Sequence, residues 1–194
     1  MILSMNTKLA RIALLAGALT LLTACVPTLH PYYKPSQLIF DPALAGKWSA
    51  DNSSDSWEFR KSGDKAYTLI YTDKNGVAGH FDAHLFKLGD LTLLDLFPNK
   101  ETIGDLEAPD IYHAHILPTH TLIVIRSVGP TLMMGFMNAK WLDEYLAANP
   151  DALPHASVKN RTILTGTTEQ LQAFLQKHGS EEGFFTRPMD LLPE

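Results

Sequence analysis

Cysteine is nearly absent from this chain, which has one, Cys25, in 194 residues. A single thiol cannot close a disulfide within the chain, so stability has to come from core packing. Signatures of catalysis are missing as well. The chain has no Gly-x-Ser-x-Gly elbow, no phosphate-binding glycine loop and no His-Glu-x-x-His pair. Their absence favours a protein that is not an enzyme.

Basic residues and long apolar runs are also scarce. The chain has 16 lysines and arginines against 21 aspartates and glutamates, with no basic stripe. Binding to a phosphate backbone draws on clustered positive charge, so the balance argues against a nucleic-acid partner. The main apolar run covers residues 12–22. It is too short for a membrane span, which needs roughly 20 apolar residues.

This short run belongs to an export signal at the start of the chain. Lys8 and Arg11 form a positive region, residues 12–22 form an apolar region, and small residues then precede a cysteine. That order is typical of a cleaved signal peptide. The four residues at its end, Leu22-Thr23-Ala24-Cys25, resemble the lipobox of bacterial lipoproteins.

The lipobox resemblance implies a cellular location and a membrane anchor. It implies cleavage after Ala24 and acylation of Cys25, with palmitate among several chains that together hold a protein stably at a membrane. Val26 follows where an aspartate commonly retains lipoproteins at the inner membrane. The resemblance therefore implies an outer-membrane lipoprotein that faces the periplasm. Loss of Lys8 and Arg11 with the leader makes the formal net charge of −5 more negative by two.

Three segments are predicted along the chain. Residues 1–24 are the signal peptide, residues 25–43 are the lipidated N-terminus and a proline-rich tether, and residues 44–194 are a single β-rich domain with helices near its C-terminus. Prolines favour extended or turn backbone, which suits a tether. The second half of the tether is apolar enough to predict docking on the domain.

Alternation and turn chemistry predict a meander of about seven or eight strands. Apolar residues alternate with polar ones over residues 57–72, and Asp73-Lys74-Asn75-Gly76 is a hairpin signal. Two helices follow. Asn138 caps the first, and Thr167 with Gln170 forms a capping box for the second. Further strands are predicted at residues 77–87, 91–97, 111–117, 121–128, 131–137 and 158–164, with a polar loop and candidate lid at 98–110.

Gly46-Lys47-Trp48 opens the first strand and resembles the start of lipocalins and lipocalin-like barrels. The resemblance implies an up-and-down antiparallel barrel, closed at one end by Trp48, whose apolar interior holds a small ligand. A strongly curved meander sheet is the alternative. The interior can equally be filled by the chain's own apolar side chains. The side chains expected to line or fill it are Phe81, Leu85, Leu93, Leu122, Val124, Met133, Met134, Phe136 and Met137.

A histidine-rich set is the candidate metal site. His80, Asp82 and His84 share one face of a strand, because side chains repeat every two residues, and His113 and His115 share a face of another. Together they suit zinc or copper. The alternative is that these histidines are solvated or hydrogen-bonded on the outside of the sheet.

Two charged residues interrupt apolar strands. Asp95 follows Leu93 and Leu94, where a buried acid would have a raised pKa. The alternative is that Asp95 faces solvent or accepts hydrogen bonds at a strand end. Arg126 follows a β-branched run. The two residues predict either a partly buried ion pair with each other or packing of Arg126 on Trp48.

Two functions follow from these patterns. The first is a lipid-anchored protein of the bacterial envelope with a non-catalytic binding or structural role, carrying a small apolar ligand or contacting an envelope protein, without a cofactor. The second is a zinc- or copper-binding envelope protein that uses His80, Asp82, His84, His113 and His115.

Overall fold

The computed structural model describes residues 25–51, 53–99, 109–113, 115–159 and 161–194. The predicted signal peptide, with Leu22, Thr23 and Ala24, lies outside the described residues, as does most of the predicted loop at 98–110. Cys25 is the first described residue.

Strands make up most of the described chain, with three α-helices and two short 3-10 turns at Pro35–Gln37 and Pro42–Leu44. The helices are α1 (Asp110–His113), α2 (Ala139–Ala148) and α3 (Thr168–His178). The strands are β1 (Pro27–Thr28), β2 (Gly46–Ala50), β3 (Ser56–Gly63), β4 (Ala66–Thr72), β5 (Ala78–Leu88), β6 (Leu91–Pro98), β7 (His120–Ser127), β8 (Leu132–Phe136), β9 (His155–Val158), β10 (Arg161–Leu164) and β11 (Met189–Pro193).

Eight of these strands close into an antiparallel barrel. Strands β2 to β8 pair with their neighbours in chain order, and β11 joins β8 to β2, where Pro193 lies opposite Trp48. The predicted class, mainly β with a lipocalin-like barrel, is confirmed. The remaining strands extend the sheet beside β7 in the order β1, β10, β9.

Side chains fill the barrel interior along its middle. The buried residues of this inner core are at most 5% exposed, so they pack against one another with no ligand-sized space between them. They come from every strand of the barrel, because alternate residues of each strand point inward. Apart from Ala83, they are Leu44, Trp48, Phe59, Tyr67, Leu69, Leu85, Leu94, Leu96, Ile123, Ile125, Leu132, Met134 and Leu191.

A short turn closes one end of the barrel. The indole Nε1 of Trp48 donates a hydrogen bond to the carbonyl oxygen of Leu44 at 3.0 Å, and Leu44 is fully buried. The ring of Phe40 stacks on Tyr67 at 4.8 Å. Trp48 and the 3-10 turn that ends at Leu44 therefore seal the end at which β2 begins.

A second core lies on the outer face of the barrel, under α2, α3 and the N-terminal segment (residues 26–38). Of the residues expected inside the barrel, Leu93, Leu122, Val124 and Met137 belong to this outer core, whereas Phe81, Leu85, Met134 and Phe136 belong to the inner core. The expectation was wrong for the first four because helices cover the outside of these strands. Strands β6 and β7 therefore carry buried apolar side chains on both faces.

Two local predictions also change. The strand predicted at 111–117 begins instead as helix α1, because Tyr112 and His113 both donate backbone hydrogen bonds to the carbonyl of Pro109. The strand predicted at 158–164 is a hairpin, β9–β10. The predicted helix caps are confirmed: Asn138 accepts hydrogen bonds from the backbone of α2, and Thr167 with Gln170 forms the capping box of α3.

Candidate functional sites: the aromatic end and the Asp95 clamp

Four partly buried aromatic residues face inward toward the end of the barrel opposite the 3-10 turn at Leu44, and one of them, Trp57, pairs with Trp48 across β2 and β3. We call Trp57, Tyr71, Phe81 and Phe136 the aromatic end. Trp57 is the centre of the group, with ring centroids 4.9 Å from Tyr71 and 6.3 Å from Phe136. Unlike the inner core, these rings are only partly covered. The described structure therefore leaves aromatic surface accessible there.

Exposed apolar side chains surround the aromatic end. Val77 lies in the turn between β4 and β5, and Ile111, Tyr112 and Leu117 lie in the connection from β6 to β7. Each is more than half exposed. Both connections leave the barrel at this end, as the pairing of Phe81 with Pro98 shows. Large apolar side chains concentrated at one end of a molecule are typical of an interaction site.

One polar group accompanies the rings of the aromatic end. Burial raises the pKa of Tyr71, and the nearby charges of Asp55 and Asp73 raise it further. The Tyr71 hydroxyl therefore stays neutral at physiological pH. It donates its hydrogen bond to Asp55, which leaves the hydroxyl oxygen as an acceptor for a ligand. The chemistry available here is apolar contact, ring stacking and one hydroxyl, which suits an apolar or aromatic molecule.

The second candidate site is Asp95, which is completely buried on the outer face of β6. Its Oδ2 accepts a hydrogen bond from the backbone N–H of Tyr32 at 2.9 Å, and its Oδ1 lies 2.7 Å from Nδ1 of His120. An ionised carboxylate only accepts hydrogen bonds, so with Asp95 ionised it is Nδ1 of His120 that donates. We call Asp95, His120 and the backbone of Tyr32 the Asp95 clamp.

Aromatic rings and a second histidine enclose the clamp. His84 pairs opposite Asp95 across β5 and β6 and stacks on Tyr33 at 4.8 Å. Burial lowers the pKa of His84, and the charge of His120 lowers it further, while Asp95 and Asp82 act in the opposite direction. The neutral form of His84 is therefore favoured. Phe97 covers the other side, with its ring centroid 4.4 Å from that of His120.

An aspartate–histidine pair supplies two of the three residues of a catalytic triad. A triad needs a hydroxyl or thiol on the second ring nitrogen of the histidine. Among the described residues no serine, threonine or cysteine is hydrogen-bonded to His120. What the clamp does in the described structure is fasten the N-terminal segment to the barrel wall.

The five residues of the predicted metal site have separate partners or positions. His80, Asp82 and His84 lie on β5 as predicted, but Asp82 accepts a hydrogen bond from Asn99 and His84 stacks on Tyr33. His113 ends helix α1 and His115 follows it, so these two are not on a strand. Within the described ranges no group of three or more potential ligands could hold a metal ion. These residues do not fit a zinc or copper centre there.

Arg126 meets neither of its predicted partners. Its guanidinium lies 5.5 Å from the ring centroid of Phe185, on the outside of β7. Asp95 is instead held by His120 and Tyr32, while Trp48 faces the inner core. Both predictions for Arg126 were wrong. Arg126 lies on the outer face of β7, away from Trp48, and Asp95 pairs with Leu122, four residues before Arg126 along β7.

The predicted lipidation site, Cys25, is partly buried. Burial raises the pKa of its thiol, and the positive charge of Arg161 lowers it. The next residue, Val26, is only 3% exposed. The chain therefore enters the outer core directly after Cys25, and the first half of the predicted tether packs on the barrel along with the second.

The sequence carried a signal for one of the two sites. Asp95 stood out as an acid within an apolar strand, but its partners His120 and Tyr32 are distant in the chain. Nothing in the sequence marked Trp57, Tyr71, Phe81 and Phe136 as one group, since they come from four strands.

Comparison of the chain with protein-family models, curated proteins and solved structures found no match. The helices in the described part of the chain include none that is long and apolar enough to cross a membrane.

Proposed function

We propose that this protein is a lipid-anchored, non-catalytic envelope protein that binds a small apolar or aromatic ligand at its aromatic end. The observation that carries the proposal is the group of partly covered rings around Trp57, bordered by exposed apolar side chains. The proposed anchor is acyl chains on Cys25, which the leader and the lipobox resemblance support.

The ligand would lie at the mouth of the barrel and not within it. The inner core below the aromatic end is packed, so a ligand would contact Trp57 and its neighbours on one side and keep another side open. Each 100 Å² of apolar surface removed from water contributes about 2.5 kcal/mol before the costs of binding. A half-enclosed ligand of this kind binds with moderate affinity and exchanges readily, which suits a carrier.

The same border also fits an apolar patch on another envelope protein. Val77, Ile111, Tyr112 and Leu117 are exposed at the rim, where a macromolecule would reach them before it reached Trp57. The two possible partners differ in the residues that they contact. A small ligand would bind mainly the rings around Trp57, whereas a protein would bind mainly the exposed rim residues.

Titration with the apolar fluorophore N-phenylnaphthylamine tests the proposal. Trp57→Leu should weaken binding of the fluorophore at least tenfold, since it removes the central ring. The matched rim variant is Val77→Ser, and its control is Leu192→Ser, an exposed apolar residue on the outer face of β11. Val77→Ser should weaken binding about twofold to threefold and Leu192→Ser should leave it unchanged.

Three further results separate the alternatives. Equal affinity for the wild type and Trp57→Leu, with both variants folded by circular dichroism, would refute binding at the aromatic end. Loss of a pulled-down envelope protein on Val77→Ser, with no fluorophore binding by the wild type, would favour the protein partner. Intact mass measurement of the membrane-extracted protein tests the anchor, since acylated Cys25 adds the mass of its chains.

A further inference from the structure

The β9–β10 hairpin lies beside the residue that the anchor would modify. β10 runs parallel to β1, with Leu164 opposite Thr28, and the backbone N–H of Leu29 donates to the carbonyl of Leu164 at 3.0 Å. Cys25 lies three residues before Thr28, and Arg161 lies three residues before Leu164. The parallel register therefore places Cys25 beside Arg161. The effect of the Arg161 charge on the Cys25 thiol agrees with that placement.

The tip of this hairpin is basic and apolar. We call Val158, Lys159 and Arg161 the hairpin tip. Val158 is about half exposed, and Lys159 and Arg161 are exposed. Neither basic residue forms an ion pair with any residue that the structure describes. The acidic neighbour Asp143 accepts a hydrogen bond from Thr162 of β10.

The backbone of Lys159 is unusual. Its φ is 49°, in the left-handed region, and no other residue besides glycine among those described has a positive φ. Glycine or asparagine adopts this conformation with less strain than lysine. The turn therefore carries a positive charge at a position where glycine would be more relaxed.

The segment that follows Cys25 is packed on the protein, so the anchor stays close to the hairpin tip. Val26 and Thr28 are buried and Tyr32 is fastened by the Asp95 clamp, so the chain is packed from the residue after Cys25 onward. One residue spans at most about 3.6 Å. Acyl chains on Cys25 would hold this side of the protein at the lipid headgroups.

We propose that the hairpin tip is a membrane-contact surface, in which Lys159 and Arg161 bind lipid phosphates and Val158 enters the headgroup layer. The inference rests on the proposed anchor at Cys25 and adds an orientation to it. Lysine and arginine beside an anchor are attracted by anionic headgroups, while the rest of this acidic chain is repelled. The chain runs from Cys25 through β1 to Thr28, which pairs with His120 at the start of β7. With the hairpin tip at the headgroups, Val77 in the turn between β4 and β5 would lie farther from the bilayer than Val158.

Fluorescence quenching by headgroup-labelled lipid tests the orientation. The full chain is expressed in bacteria, extracted with its acyl chains and placed in vesicles of phosphatidylethanolamine and phosphatidylglycerol that contain nitroxide-headgroup lipid. Acylation consumes the only native thiol, so one introduced cysteine carries the fluorophore. Val158→Cys reports on the hairpin tip and Val77→Cys on the aromatic end. Quenching should be at least threefold stronger at residue 158, and equal quenching at the two positions would overturn the proposal.

Charge variants in the Val158→Cys background test the contact with phosphates. Lys159→Gly removes a charge and relieves the strained φ, so a weaker signal cannot come from a misfolded turn. Lys65→Gly is the matched control, since Lys65 lies in the turn between β3 and β4. Lys159→Gly combined with Arg161→Gln should lower the quenching at least twofold, and Lys65→Gly should not change it. Unchanged quenching in the double variant would refute the phosphate contact.

Failure of the anchor can be told from failure of the orientation. If the mass shows no acylation of Cys25 and the protein does not float with vesicles, the proposed anchor and this inference are both refuted. If Cys25 is acylated and the protein floats, but the two fluorophore positions are quenched alike, only the orientation is refuted.

Discussion

At the scale of single residues, Asp95 decides how the N-terminal segment meets the barrel. A buried carboxylate is costly unless hydrogen bonds satisfy it, and Asp95 receives one from the Tyr32 backbone and one from His120. These bonds join β6, β7 and the residues just after the proposed anchor. The force that a membrane anchor transmits to the barrel would pass through this clamp.

Asp95→Asn should lower the free energy of unfolding by about 1–3 kcal/mol, because the amide makes a weaker bond to His120. Urea unfolding followed by tryptophan fluorescence measures the change. Asp190→Asn, an exposed acid on β11, is the control and should change stability by no more than about 0.5 kcal/mol. Equal stability of Asp95→Asn and the wild type would contradict the clamp.

His84 gives a second prediction at the residue scale, in its pH dependence. Its pKa is lowered by burial, so the folded protein binds this proton less readily than the unfolded chain, whose histidine titrates near pH 6.5. The contribution of neutral His84 to the free energy of unfolding is therefore fully present above about pH 6.5. It declines as the pH falls toward the lowered pKa of His84.

His84→Phe keeps an aromatic ring against Tyr33 and removes the titration. The melting temperature of the wild type should fall between pH 7 and pH 5, and the fall should be smaller in His84→Phe. Thermal unfolding at half-unit pH steps measures both slopes. Parallel slopes for the two proteins would show that protonation of His84 does not oppose folding.

At the scale of elements, the N-terminal segment belongs to the folded domain. Gln172 of α3 donates to the carbonyl of Tyr32 at 2.8 Å, and Thr168 donates to that of Pro31 at 2.8 Å. The segment also contributes buried Val26 and Tyr32 to the outer core. Helix α3 and the barrel are thus joined through a stretch that a proline-based prediction treats as a tether.

Removal of residues 26–38 should therefore abolish cooperative unfolding. Burial of Val26 and Tyr32 alone contributes about 4 kcal/mol, and whole domains have only about 5–15 kcal/mol to lose. The matched control lacks only residues 1–24. Differential scanning calorimetry compares the two, and a sharp transition in the chain that begins at Ile39 would show that the segment is a tether after all.

At the scale of the whole molecule, the barrel closes between strands from opposite ends of the domain. β11 lies between β8 and β2, and its Leu191 is buried in the inner core. Closure pairs Pro193 with Trp48. The long stretch of chain between these two residues must be ordered before their pairing can stabilise the barrel. The integrity of the barrel thus depends on the last strand of the chain.

Deletion of residues 189–194 should open the barrel between β2 and β8. We expect loss of the near-ultraviolet circular dichroism signal and binding of anilinonaphthalene sulfonate, because the inner core would meet water. Deletion of Glu194 alone is the control. It removes an exposed ion pair with Lys47, and exposed ion pairs contribute little to stability. A native near-ultraviolet spectrum after the longer deletion would contradict this account.

The sequence by itself determined what depends on neighbouring residues. The Asp73 to Gly76 turn, the Asn138 cap and the Thr167 capping box each act within a few residues, and the structure has all three. The lipobox resemblance is local in the same way and remains a prediction, since residues 22–24 lie outside the described chain.

Only the tertiary structure decided which side of each strand faces the barrel interior. In Leu93-Leu94-Asp95-Leu96 both faces are buried, one by the inner core and one by the outer layer, so alternation of polar and apolar residues carries no direction. The pairing of Asp95 with His120, the grouping of rings around Trp57 and the position of Cys25 beside Arg161 all follow from strand order. Strand order depends on contacts between distant parts of the chain, and no local pattern encodes it.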